Sequence, residues 1–253
     1  MSTAIVLALG VGSIAIGSAI GAVGVGGVLL VPLLLLVGGL PVHDAVAAAM
    51  WAYLFTGLAG TLVYGARREI PWRDAAWIGL AAIPGALAGS IAVSAVDGRW
   101  LTPVLALLLG LAAADTLRRP AATRTEPAGA DLLSRGGAAA VGVLTGFGSS
   151  ATGTSGPVFG LPLLLHLRVP PKRAVALCQS LQLPIAAFAS AANASIGSLD
   201  LGLASAIGGT LAVGVIAGAL LAPRLPALWL RRGIALGLLV SMTLMLAGPR
   251  AVG

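Results

Sequence analysis

The chain has 253 residues, of which 58% are hydrophobic and only 9% charged, with a net charge of +7. A soluble domain carries about 25% charged residues, so the composition excludes one and points to an integral membrane protein; few aromatics and no basic run interleaved with them exclude a nucleic-acid surface. One cysteine, Cys178, and two unpaired histidines, His43 and His166, exclude an intrachain disulfide and a Cys/His metal cluster, so no cofactor is expected.

In chain order, the opening "MSTAIVLALGVGSIAIGSAIG" has no Lys or Arg before its apolar stretch. It is therefore expected to be a structural segment, residues 4–20, and not a cleaved signal peptide. Next comes "GAVGVGGVLLVPLLLLVGGLP", residues 21–41, with Gly21, Gly24, Gly26 and Gly27 ahead of a short apolar segment, 27–39. Longer segments follow at 43–66, 74–96 and 100–117. "RRPAATRTEPAGADLLSR", residues 118–135, has the Pro, Thr, Arg and acidic content of a solvated linker. Beyond it lie segments at 136–147, 157–167, 174–196, 201–223 and 228–248. Crossing a bilayer takes about 20 helical residues. The third, fourth and fifth segments of each half meet that length and the second segments do not.

The halves repeat at an offset of 129 residues. Gly17, Ala22, Gly24 and Gly27 fall on Gly146, Ala151, Gly153 and Gly156, and Pro41 falls on Pro170. Gly79, Gly85, Gly89 and Trp100 fall on Gly208, Gly214, Gly218 and Trp229. Counting basic residues by side tells how the halves are oriented. If each glycine-rich pair of segments makes one crossing, the count is eight against seven; if each pair enters and returns on one side, it is thirteen against two. The second arrangement makes the halves inverted, with the linker cytoplasmic and both termini outside. The expected fold is therefore an all-α polytopic membrane protein of two inverted-topology repeats, residues 1–117 and 136–253, joined by the linker 118–135. Each repeat would be a glycine-broken re-entrant helix pair plus three transmembrane helices.

No ionisable carboxylate or amine falls at mid-segment, which argues against a membrane enzyme using acid-base or metal chemistry. What the interior offers is backbone. Half-helices starting at Gly27 and Gly156 from opposite sides would aim unpaired N–H groups and positive dipole ends at a common point, an anion site without charged side chains. The candidate contacts are Gly24, Gly26 and Gly27 on one side and Gly153 and Gly156 on the other. "GFGSSATGTSGP" adds the hydroxyls of Ser149, Ser150, Thr152, Thr154 and Ser155. Gln179, Gln182 and Asn193, with Tyr53 and Tyr64 among their repeat mates, offer amides and phenols that serve either an oxyanion or helix packing. Gly85, Gly89, Gly214 and Gly218 form GxxxG pairs and read as packing residues. Trp72, Trp77, Trp100 and Trp229 sit where an aromatic belt would anchor.

"GAVGVGGVLLVPLLLLVGGLPVHDAVAAAM", "YGARREIPWRDA" and "IPGALAGS" together resemble the repeat of the TauE/SafE sulfite exporter family, also called the toluene-sulfonate uptake permease family. The resemblance implies a bacterial inner-membrane carrier for sulfite, sulfonates, sulfoacetate or thiosulfate, coupled to an ion gradient of protons or sodium. Its glycine and proline motif positions carry over to Gly24, Gly26, Gly27 and Pro32, and to Gly153, Gly156 and Pro162. In the second repeat Ser155 replaces a glycine, and one residue is inserted before Pro162. A secondary transporter working by alternating access is expected, with a passive anion channel of the same architecture as the alternative. Its partners would be the anion, a coupling ion and the lipid bilayer; a homodimer is an open assembly state.

Overall fold

The structure, a computed structural model, describes residues 3–24, 26–95, 133–167, 169–194 and 200–221, with isolated positions within 103–118 and 236–243. Most of the fifth segment expected in each half, Trp100, Trp229 and nearly all of the linker lie outside the described residues. Among the described residues every regular element is helical: α1 (Thr3–Val23), a 3-10 turn (Gly27–Leu29) continuing into α2 (Leu30–Leu36), α3 (Val42–Ala66), α4 (Trp72–Ala95), α5 (Arg135–Thr152), α6 (Pro157–His166), α7 (Pro171–Ala194) and α8 (Leu201–Leu221).

Local chemistry sets the helix starts. Pro41 precedes α3, and α6 and α7 open on Pro157 and Pro171, where proline's missing N–H has no helical acceptor to lose. Ser134 caps α5 by accepting from Gly137 N at 3.2 Å, and Asp200 caps α8 by accepting from Leu203 N at 3.0 Å. Asp44 and Asp74 sit in the first turns of α3 and α4, at the positive ends of their dipoles. The Arg135 guanidinium lies 5.5 Å from the ring centre of Trp77, tying the start of α5 to α4.

Five helices are long and apolar enough to cross a membrane: Thr3–Ala22, Val42–Ala66, Trp72–Ala92, Lys172–Ala194 and Leu201–Leu221. They turn large side chains such as Leu7, Leu62, Leu80, Val213 and Leu220 outward, where lipid replaces water. Trp72, 58% exposed, and Trp77 also face outward near the start of α4.

Small residues decide which helices touch. A Cβ on Gly17 would lie 2.2 Å from the carbonyl oxygen of Leu211, and one on Gly21 would lie 2.0 Å from that of Val215. From the other side, Gly214 and Gly218 meet the carbonyls of Ile14 and Ser18. Backbone thus touches backbone along α1 and α8, and ascending numbers on both show that they run parallel. The same relation joins α4 to α5, where Gly85 and Gly89 meet Val143 and Phe147 while Gly142 and Gly146 meet Ile78 and Ala82. In a bilayer such close approach, rather than water exclusion, holds helices together, so these glycines are packing residues.

At the centre, α3 crosses α7. Gln182 Nε2 donates to Thr56 Oγ1 at 2.8 Å and Thr61 Oγ1 donates to Gln179 O at 3.4 Å, so α3 ascends where α7 descends. Trp51 Nε1 donates to Ser205 Oγ at 2.9 Å and Phe55 packs on Gly208, so α3 and α8 ascend together.

Two boundaries differ from expectation. The segment expected at 136–147 continues as α5 to Thr152, because Thr152 returns its hydroxyl to Gly148 O at 2.6 Å and its neighbours Ser149 and Ser150 are buried against protein. Gly21, expected in a non-helical tip, is part of α1, which runs to Val23 because its missing side chain is what admits α8.

Candidate functional site

Each glycine-rich stretch breaks the chain after a long helix and before a short one. Gly24 (φ +78°) and Gly153 (φ +65°) end α1 and α5 in the left-handed conformation that glycine adopts without a Cβ penalty. Gly24 N donates to Ile20 O at 2.8 Å, and Gly153 N donates to Ser149 O. These two candidate contacts are therefore helix caps. Gly26 follows with its Cα pressed on α1, where a Cβ would come within 2.9 Å of Ala19 Cβ and Ile16 O, so the chain doubles straight back.

Beyond the caps the two short helices begin side by side. The helical run Gly27–Leu36 bonds from Leu29 N to Gly26 O at 3.0 Å and from Leu30 N to Gly27 O; α6 bonds from Val158 N to Ser155 O at 3.1 Å and from Gly160 N to Gly156 O at 2.9 Å. The N–H groups of Gly27, Val28, Ser155 and Gly156 come before the first N–H that donates within each helix, Leu29 and Val158, and so have no helical acceptor. Gly27 and Ser155 touch: a Cβ on Gly27 would lie 2.3 Å from Ser155 Oγ and 2.4 Å from Ser155 Cβ. The glycine of the first repeat thus leaves room for the serine that stands in place of a glycine in the second.

A closed ring of contacts runs through this meeting point. Tyr53 Oη donates to Gly27 O, Thr56 Oγ1 donates to Tyr53 O at 3.0 Å, and Gln182 Nε2 donates to Thr56 Oγ1. Gly156 closes the ring, its would-be Cβ 4.0 Å from Gln182 Cα and 3.5 Å from Ile185 Cδ1. Ser155 is 0% and Gln182 1% exposed, yet Ser155 Oγ and Gln182 Oε1 have no protein partner. Buried polar atoms left bare are uncommon in native proteins and call for a ligand, an ion or water. The orphan N–H donors and the free Ser155 hydroxyl, sealed from solvent, can bind a small polar anion without a formal countercharge, while Gln182 Oε1 beside them can only accept.

The remaining candidates separate by what already occupies them. Thr152 and Thr154 share a hydroxyl contact at 2.8 Å, with Thr152 also bonded to Gly148 O, so they stiffen the second break. Ser149 and Ser150 are buried in the last turn of α5 with unpartnered hydroxyls. Gln179 Nε2 donates to Ile20 O at 2.8 Å and its Oε1 lies over Gly60, so this amide holds α1 rather than the ring. Tyr64 Oη donates to Gly21 O at 2.7 Å and does the same. Asn193 lies on α7 eleven residues past Gln182, about 16 Å along the axis, and so apart from the ring. His43 and His166 are exposed, and Cys178 is a buried packing residue whose sulfur lies 3.0 Å from a Cβ placed on Gly160. Sequence reasoning missed Thr56, which links Gln182 to Tyr53; its only signal was a position three residues after Tyr53, on the same helix face.

Among known proteins, residues 8–245 match the family model described as Sulfite exporter TauE/SafE. No curated protein and no solved structure matches.

Proposed function

Because the chain belongs to the sulfite exporter TauE/SafE family and is thereby a multi-pass membrane transporter of a small anion, we propose that it is a secondary transporter for sulfite or a small sulfonate. It works by alternating access in the bacterial inner membrane, and the anion is held where Gly27, Ser155 and Gly156 meet beside Gln182. The observation that carries this reading is the closed ring itself: two helix starts in contact, with a hydroxyl and an amide oxygen buried beside them and unmatched.

The inverted arrangement of the halves is supported by the helix directions. α3 runs against its repeat mate α7, while α1 and α8 run with α3. With α1 and α3 pointing the same way, the chain between them must return to the side on which α1 began, as a re-entrant pair does. Two such arms around one site allow the halves to rock and expose it to either face.

Purified protein in proteoliposomes tests the reading with sulfite, taurine, sulfoacetate and thiosulfate. Saturable uptake and counterflow of at least one of them are expected. Conduction that never saturates and shows no counterflow would instead indicate a passive anion channel, and no flux of any sulfur anion would remove the transporter reading.

A further inference from the structure

The ring has a polarity that an anion alone does not match. Thr56 has one hydroxyl proton, and it is committed to Tyr53 O. Thr56 Oγ1 can therefore only accept from Gln182, which must turn its NH2 toward Thr56 and leave Oε1 without a donor. Tyr53 has likewise spent its proton on Gly27 O. Gln179 Oε1 is likewise buried without a donor, but the Gln179 amide is held at the end of α1 by the Ile20 carbonyl, with its oxygen against Gly60, and it has no bond to the ring residues Tyr53, Thr56 or Gly27. The ring thus combines donors, the helix-start N–H groups and Ser155, with one bare acceptor, Gln182 Oε1. A fully deprotonated oxyanion satisfies the donors and sets its own lone pairs against that acceptor. An anion carrying one O–H or N–H satisfies both.

Resting on the transporter reading, we infer that Gln182 is a specificity-determining residue that selects an anion bearing its own hydrogen-bond donor, so that hydrogensulfite, not the sulfite dianion, is the species carried. Sulfite and hydrogensulfite interconvert near neutral pH. The proton enters on the substrate oxygen, faces Gln182 Oε1 during transit, and passes to water on release as hydrogensulfite re-equilibrates to sulfite plus a proton. Proton movement then accompanies the anion through an interior whose described spans carry no carboxylate at mid-helix.

Counterflow of radiolabelled sulfite in proteoliposomes with equal pH on both faces separates the species without changing the driving force. At a fixed subsaturating total sulfite, exchange is expected to fall about tenfold per pH unit once the dianion predominates, because the carried fraction falls by that factor. Methanesulfonate, a monoanion with no donor, is expected to compete at least about tenfold more weakly than hydrogensulfite, since it leaves a buried acceptor bare. In Gln182→Met the acceptor is gone, and the preference for hydrogensulfite over methanesulfonate is expected to collapse toward unity; a purely structural role would slow both anions equally. Sulfite exchange that holds or rises with pH, or equal competition by methanesulfonate in the wild type, would overturn this inference while leaving the transporter reading standing. Failure of every sulfur anion to exchange would sink both.

Discussion

The two breaks are built from the same plan and stabilised in different ways. At the first, α1 ends in bare glycine and carbonyls on both sides of the break accept from elsewhere in the fold: Gln179 of α7 reaches Ile20 O and Tyr64 of α3 reaches Gly21 O in α1, and Tyr53 of α3 reaches Gly27 O in the helical turn that follows. At the second, the stretch secures itself, with Thr152 on Gly148 O, Thr152 against Thr154, and Thr154 N on Ser149 O at 3.1 Å. A break without side chains can pack closest to its partner but must borrow its hydrogen bonds. A break rich in hydroxyls needs no outside help but takes up room. Pairing one of each lets the helix starts touch while both stay ordered.

The sharpest way to break this comparison is to give the bare side a side chain. Gly27→Ala puts a methyl group inside the contact distance of Ser155 Oγ, so the helix starts must part. Overpacking of this kind costs about 1–3 kcal/mol, which at the site corresponds to a roughly ten- to hundredfold loss of substrate affinity. Insertion and the size-exclusion profile in detergent should be unchanged. Adding Ser155→Gly moves the side chain from one arm to the other and should restore most of the affinity, because the remaining neighbour, Ser155 N at 3.1 Å, is only tight. A double variant as impaired as Gly27→Ala would mean that the damage lies elsewhere than in this contact.

Removing the borrowed bonds has a smaller effect, and it should be graded. Gly21 O has Tyr64 as its side-chain donor, whereas Ile20 O accepts from Gln179 and also from Gly24 N. Tyr64→Phe should therefore cost about 1–2 kcal/mol, and Gln179→Met less than that. For a chain of this size 1 kcal/mol moves the melting temperature by about 2–4 °C, so thermal unfolding in detergent can rank the two. Equal shifts would show that the second donor on Ile20 O contributes nothing.

Much of this was legible in the sequence because it depends on composition and spacing. Apolar runs marked each described helix to within a few residues, except the end of α5. From Gly148 to Gly156 only Ala151 is neither glycine nor a hydroxyl residue, so the stretch looks like a loop, and only burial, with Thr152 bonding its own helix, makes Ser149 to Thr152 helical. The glycines could be found but not sorted. Gly21 as a packing surface, Gly24 and Gly153 as caps, and Gly27 as a contact differ by which element lies opposite, and that is a tertiary fact. The same limit hid Thr56 and left Gln179 and Gln182 indistinguishable. They lie one turn apart on α7, but one faces the carbonyls at the end of α1 and the other faces a hydroxyl of α3.

The mildest change tests whether the second break is as self-sufficient as its bonds suggest. Thr152→Val keeps the branched shape and removes both hydroxyl contacts, to Gly148 O and to Thr154. The backbone closure stays, because Gly153 N and Thr154 N still reach Ser149 O. Thr154 regains a free hydroxyl that can turn to another acceptor. The loss should therefore stay below about 1 kcal/mol, with a melting temperature within about 2–4 °C of the parent and little change in flux. A loss as large as that of Tyr64→Phe would mean that the backbone bonds alone do not hold the second break, and that its hydroxyls are as necessary there as the borrowed donors are at the first.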